Sequence, residues 1–392
     1  MKWEVVTELT RKAVAQALGT EYMEQSGVIS GLDTAKLIDI GKSVLDSDTT
    51  TEKFTKALIS VIGEYELINM NVSNEFDDLF VHNFEWGGFT ERIYYGLANV
   101  IDDPMWNTVN GTSYADIENK FYQPSVTAKI FNECKACMIP TSYQRDTLKE
   151  SFTGESEWNR YISGIRNSIS NTIKIVKKAY ARMLISSGIA ISNSGINTAV
   201  HLITEAIAQN ILESGATVTD ALKSEEFLAF MCKRIATVRD YMKIESTKFN
   251  NGTVVASGDD VRLKVLSDVA KTIRFLLRAD TYNENLLSFG DYKEVVSWQG
   301  VTDGTHNFDL ADLSAIKISA DANNKLGLGT SAVNVNYCVA FAYDYRAIGF
   351  TIDKMKITSN YTACADFWNE FTHIWTNAII DTNLPMVAFI LD

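Results

Sequence analysis

The chain has 392 residues, 46% hydrophobic and 22% charged, with 49 acidic against 36 basic side chains and a formal net charge of −13. That length exceeds one typical core and predicts one large elaborated domain or two to three subdomains, while the ordinary composition excludes extensive disorder. The acidic balance argues against a dedicated nucleic-acid binder, which needs a basic face to displace counterions from phosphates.

The N-terminus carries Glu4, Glu8, Arg11 and Lys12 where a signal peptide would need an apolar run, so no secretion signal is expected there. Residues 3–24 read instead as an amphipathic helix with Val5, Leu9, Ala13, Ala17 and Met23 near one face, stopped at Ser26-Gly27. Two more helices are predicted at 33–47 and 51–68, split by the polar run 46–51. The spacing of Phe54, Leu58, Ile62 and Tyr65 supports the second.

Residues 69–130 change character. Gly87-Gly88, Asn110-Gly111, Pro104 and Pro124 punctuate a stretch dense in aromatics, among them Phe76, Phe84, Trp86, Phe89, Tyr94, Tyr95 and Trp106. Turn signals interleaved with aromatics predict an extended, hairpin-like excursion. So many aromatics exceed what such a segment can bury within itself. Phe84, Trp86, Phe89, Tyr94, Tyr95 and Trp106 are therefore the candidates for contact with another subunit.

The clearest helix follows at 155–186. Trp158, Ile162, Ile165, Ile169, Ile173, Val176, Tyr180 and Leu184 recur at intervals of three and four, the period of one helix face. Thr153 or Ser156 offers a cap and Gly188 a stop. At 1.5 Å per residue this helix spans roughly 45–48 Å and reads as a structural spine.

Two further helices are predicted in 197–245, around a polar joint at 213–216. Val261–Leu266 alternates like a strand, Asp268–Arg278 reads as helix, and Val295–Trp298 as a short strand. Residues 302–334 read as loop-rich. Strands are expected at Val339–Tyr343, ending at Asp344-Tyr345-Arg346, and at Ile348–Ile357. An aromatic cluster (Phe367, Trp368, Phe371, Trp375) and a last strand, Met386–Leu391, place the C-terminus in the core.

Motifs for chemistry are weak. Cys134 and Cys137 have metal-like spacing, but the four histidines are not closely paired, so two small core residues are the simpler reading. Five cysteines, an odd number, fit free thiols in a reducing compartment. The glycines of 325–330 lack the spacing and lysine of a phosphate loop. Asp102-Asp103 and Asp259-Asp260 look like solvated turn residues. No nucleophile elbow or zinc-protease helix occurs. No catalytic, cofactor-binding or metal site is predicted, and no run reaches the ~20 apolar residues of a membrane span. The basic residues Arg160, Arg166, Lys174, Lys177, Lys178 and Arg182 surround the non-apolar faces of the long helix. A solvated face is the simpler account of them, with a subunit or nucleic-acid contact as the alternative.

This order of parts, with the segments Asn159–Ile169, Lys177–Leu184 and Phe367–Phe389, resembles the major capsid proteins of tailed, short-tailed (podovirus-like) bacteriophages. The resemblance implies the α+β Hong Kong 97-type capsid fold. Residues 1–68 then correspond to a helical N-terminal arm region and 69–130 to the extended E-loop. Residues 131–195 hold part of the P-domain with its spine helix, 196–338 an A-domain-like lobe, and 339–392 a C-terminal return to the P-domain. It also implies self-assembly through hexamers and pentamers into an icosahedral shell, built in the host cytoplasm. Portal, scaffolding and decoration proteins would be further partners, and the enclosed double-stranded DNA would make at most weak non-specific contact. An encapsulin-like compartment shell and a soluble enzyme of unrecognised α+β fold are the competing readings.

Overall fold

A computed structural model describes residues 3–26, 32–69, 75–79, 90–96, 121–124, 126–131, 134–195, 199–250, 257–277, 291–299, 310–319, 332–362, 364 and 367–392. Its long helix, α6 (Glu155–Ser194), is 40 residues long and eight residues longer at its C-terminal end than its sequence pattern predicts. The expected stop, Gly188, lies inside it for a packing reason. A Cβ there would sit 2.6 Å from Ile348 Cδ1 and 3.1 Å from Phe341 Cζ. Neither Thr153 nor Ser156 caps the start. Gly154 occupies that position, and the Thr153 hydroxyl donates instead to the Glu150 carbonyl.

Two hydrophobic cores share this helix. Its first half buries Trp158, Ile162, Ile165, Ile169 and Ile173 against the N-terminal helices α1 (Trp3–Leu18), α2 (Thr20–Gln25), α3 (Thr34–Leu45) and α4 (Asp48–Asn69), together with the short α5 (Arg145–Ser151). Val176 and Tyr180 are half-buried, and Tyr180 packs against the other core. The predicted first helix is broken at Gly19, whose φ of 92° is a conformation that favours glycine. The region is locked to the spine. Trp158 stacks on Phe152 at 4.6 Å, and its indole N–H donates 2.8 Å to the Thr10 hydroxyl. Phe54, Leu58 and Ile62 are buried as their spacing predicts, with Tyr65 packed at the margin.

Against the same core lies a three-stranded antiparallel sheet of order β10-β11-β3, made of β3 (Cys134–Gln144), β10 (Ile348–Thr362) and β11 (Phe367–Ile380). The aromatic cluster of 367–375 is thus a strand, with alternate side chains buried along β11. Pro140 is tolerated because β3 is an edge strand.

The second half of α6, from Ala181 to Ile189, enters the other core. There a five-stranded sheet has the order β4-β12-β9-β5-β6, from β4 (Ala199–His201), β5 (Val261–Leu266), β6 (Lys293–Val295), β9 (Cys338–Asp344) and β12 (Met386–Ile390). Every residue of β9 and β12 is buried, as expected of apolar runs lying in the middle of a sheet. The C-terminal strand is therefore confirmed as core. β12 pairs parallel with β4 and antiparallel with β9.

Helices α7 (Leu202–Ala208), α8 (Val218–Lys223), α9 (Glu225–Met242) and α10 (Ser267–Leu277) also contribute to this core. The stretch predicted as two helices thus holds three. The expected joint ends at Thr217, which caps α8 with Asp220 in a reciprocal capping box, and the extra break falls at Ser224, whose hydroxyl accepts from the Phe227 N–H and caps α9. The strand predicted at 295–298 ends at Val295. Trp298 turns inward, donating its indole N–H to the Cys338 carbonyl. The loop-rich tract contains helix α11 (Leu310–Ser314) and a small antiparallel pair, β7 (Ile316–Ile318) with β8 (Val333–Val335).

Candidate subunit-contact site

The excursion predicted at 69–130 is held at two roots, each by a buried aspartate. At the first, Phe76 and Leu79 sink into the five-stranded-sheet core. Phe76 is thus covered by its own chain, although it belongs to the aromatic set expected to need a partner. Between them Asp78 receives Lys264 Nζ at 2.7 Å and the Tyr343 hydroxyl at 2.8 Å. Arg262 donates 2.6 Å to the Asp78 carbonyl, and Arg182 pairs with Glu75 at 3.2 Å. Burial alone would raise the Asp78 carboxyl, but the Lys264 ammonium and the bonds from Lys264 and Tyr343 outweigh it and hold its pKa below the usual value.

The second root is an antiparallel ribbon of β1 (Thr90–Tyr95) and β2 (Val126–Phe131), pairing Ile93 with Ala128 and Tyr95 with Val126. Its inner face carries Arg92, Tyr94, Lys129 and Phe131. Arg92 Nη1 reaches the fully buried Asp381 carboxylate at 2.9 Å, and Lys129 Nζ lies 3.7 Å from it. The Tyr94 hydroxyl donates to the same carboxylate. Burial, then that bond, pushes the Tyr94 phenol up to about 12. Lys129 also donates 3.1 Å to the Thr382 hydroxyl. Tyr94, one of the candidates for contact with another subunit, is bonded here to its own chain.

The outer face of this ribbon is uncovered. Ile93 is 50% exposed, Tyr95 70%, Val126 53% and Ile130 57%. A face that is apolar but for Glu91 and has no cover among the described residues is the chemistry of an association surface. Of the six contact candidates, Tyr95 lies on this face and Tyr94 on the opposite one. Phe84, Trp86, Phe89 and Trp106 lie outside the described residues, as do Asp102-Asp103 and the 325–330 run. Ile93, Val126 and Ile130 were missed. Their two-residue alternation is visible in the sequence, but it suggests burial of the apolar face in the same chain.

A second open face belongs to the three-stranded sheet. The side away from the helices presents Met138 and Pro140 beside Phe371, His373 and Trp375, with His373 stacked on Trp375 at 5.8 Å. The inward side carries Glu370, whose two carboxylate oxygens are buried without a hydrogen-bond partner among the described residues. Burial pushes its carboxyl up to about 7. Lys56 opposes the shift and Glu52 adds to it.

The basic side chains of α6 divide. Arg160 pairs loosely with Glu157 at 3.4 Å, Arg166 lies over the Tyr65 ring, Arg182 is bound to Glu75, and Lys177 is buried. Lys178 is exposed and Lys174 half-buried. Asp259-Asp260 form an exposed turn, as expected. Among the described residues no group of His, Cys, Asp or Glu is placed to hold a metal, and no helix is long and apolar enough to cross a membrane. Cys137, Cys232, Cys338 and Cys364 are free thiols.

Comparison with known proteins supplies the family. No curated protein matches the chain in sequence. Among solved structures, a chain in that of the head fiber and inner core protein gp22 of native bacteriophage P68 aligns at 11% identity and TM-score 0.52, covering 83% of this chain and 86% of that one. This likeness concerns the fold, and the mixed helix-and-strand architecture agrees with the Hong Kong 97-type. A chain from the capsid of Staphylococcus phage Andhra aligns at 13% identity and TM-score 0.49, with the same two coverages of 83% and 86%. One from the capsid of cyanophage P-SCSP1u aligns at 11% and 0.42, covering 81% and 87%. The model of the Phi29-like phage major capsid protein family matches residues 12–390, nearly the whole length. The chain belongs to the Phi29-like phage major capsid proteins and is a structural subunit of a phage capsid shell.

Proposed function

We propose that the subunit closes its shell by laying the β1–β2 ribbon on a neighbouring copy, with hexamers and pentamers of the chain forming an icosahedral container for double-stranded DNA in the host cytoplasm. Segment 69–130 is read as the E-loop and α6 with the three-stranded sheet as the P-domain. Residues 196–338 are read as the A-domain. Of the stretch 339–392, expected to return to the P-domain, β10 and β11 are read as doing so, while β9 and β12 complete the five-stranded sheet of the A-domain lobe. The observation that carries this reading is a pairing of opposites on one ribbon. The inner face is fastened to buried Asp381, while the outer face offers Ile93, Tyr95, Val126 and Ile130 to solvent. A rigidly rooted apolar strip loses little conformational freedom on docking, so more of its burial appears as affinity. Head-to-tail contacts of this kind make rings when their rotation closes.

The double variant Ile93→Asp/Ile130→Asp tests it. Both side chains point away from the subunit, so the variant folds, and its circular dichroism and melting temperature match the parent. Negative-stain images should show parent shells and only small oligomers of the variant. Normal shells from the variant would remove the ribbon from assembly.

A further inference from the structure

The spine helix is charged unlike the rest of the chain. From Trp158 to Ser194 it carries six basic residues and no acidic one, in a protein of net charge −13. Opposite the buried stripe of Trp158, Ile162, Ile165, Ile169 and Ile173 runs a ridge of Arg160, Gly164, Asn167, Asn171, Lys174 and Lys178, spaced 4, 3, 4, 3 and 4. All but the half-buried Lys174 are exposed. At 1.5 Å per residue the ridge is about 27 Å long. Every polar group along it is a cation or an amide.

We propose that this ridge of α6 is the surface that meets the packaged duplex, touching its phosphates without reading its sequence. The inference rests on the shell reading and adds which face of the subunit looks inward. Charge complementarity selects the occupant. Ammonium, guanidinium and amide N–H groups are the donors that phosphate oxygens accept, and they carry no base preference. Lys174 and Lys178 have no carboxylate partner among the described residues, and Arg160 has only a long, exposed contact to Glu157. Three cations per subunit, set in an otherwise acidic wall, give a contact that is weak at each site and summed over the shell. That suits DNA that must enter and leave, since strength grows with the number of phosphates neutralised.

The test uses full heads. After formaldehyde treatment, peptides containing Lys174 and Lys178 should carry nucleotide adducts. The double variant Gly164→Glu/Asn171→Glu adds two acids on the ridge where the fold tolerates them, because a Cβ at Gly164 meets nothing within 4 Å. Its heads should assemble and lose most of those adducts. A control with the same added charge on the exposed sites Ser214→Glu and Thr219→Glu should keep them. Adducts mapping elsewhere, or unchanged in the ridge variant, would overturn the proposal. So would a folded ridge variant that no longer assembles, since the ridge would then be a subunit contact. Absence of shells from the parent protein would instead overturn the shell reading itself.

Discussion

The Lys264 ammonium donates to Asp78 at 2.7 Å with both side chains almost wholly out of solvent, 1% and 8% exposed. The two lie 186 residues apart in sequence, so this pair fixes the first root of the excursion to the five-stranded sheet. The partners are not equivalent. Asp78 keeps Tyr343, Arg262 and Lys293 if the lysine is removed, whereas among the described residues Lys264 keeps the Glu75 carbonyl at 2.6 Å and the Phe76 ring if the aspartate is removed. Asp78→Ala should therefore destabilise by about 3–5 kcal/mol, the cost of an abandoned buried charge. Lys264→Met should cost clearly less. Thermal melting of the two variants decides the order, and equal losses would contradict it.

Glu370 predicts a pH dependence of definite sign. Its folded pKa, about 7, lies above the ordinary 4.5. Below pH 4.5 the group is neutral in both folded and unfolded chains and costs nothing. As pH rises from 4.5 to 7 the unfolded chain ionises first, so stability falls. Above 7 the full penalty, roughly 3 kcal/mol, is in place. Burial is the cause, and the facing groups are Glu52 and Lys56 on α4, Tyr161 on α6 and Tyr143 on β3. Glu370→Gln should melt higher than the parent at pH 8, with the gap closing by pH 5. A gap independent of pH would show that this carboxyl does not titrate in the window.

Two glycines of one helix should respond oppositely. Gly188→Val drives a side chain into Ile348 and Phe341 and should destabilise by about 1–3 kcal/mol. Gly164→Ala meets open space and should stabilise by about 1 kcal/mol, the helix-propensity difference. Denaturant melts of both variants read the sign directly.

Removal of residues 385–392 should abolish soluble, assembled protein. The deletion takes out the strand that joins β4 to β9 and, with it, Val387, Phe389 and Leu391, all fully buried. Each such side chain contributes about 1.5–3 kcal/mol by burial, and the exposed edges left behind invite aggregation. Soluble yield and particle counts give the readout; parent-like values would mean the tail is dispensable.

Local periodicity determined a good part of this molecule. The stripe from Trp158 to Ile173, the helix around Phe54 and the apolar run of β12 all follow from spacing, because a face that must be buried repeats with its element. Their partners were decided only by the tertiary structure. Arg92 and Lys129 look like solvent-facing residues until Asp381, 289 residues beyond Arg92, is placed beneath them. That single buried carboxylate turns the charged face of the ribbon inward and the apolar face outward, the reverse of what alternation alone implies. Gly188 reads as a helix stop until β9 and β10 crowd it. Glu370 has no signal of its own in the sequence, and only the placement of α4 and α6 against β11 buries it. In each case, spacing along the chain identifies a face, whereas the charge or bulk that decides what that face meets comes from residues distant in sequence, and becomes visible only once the chain is folded.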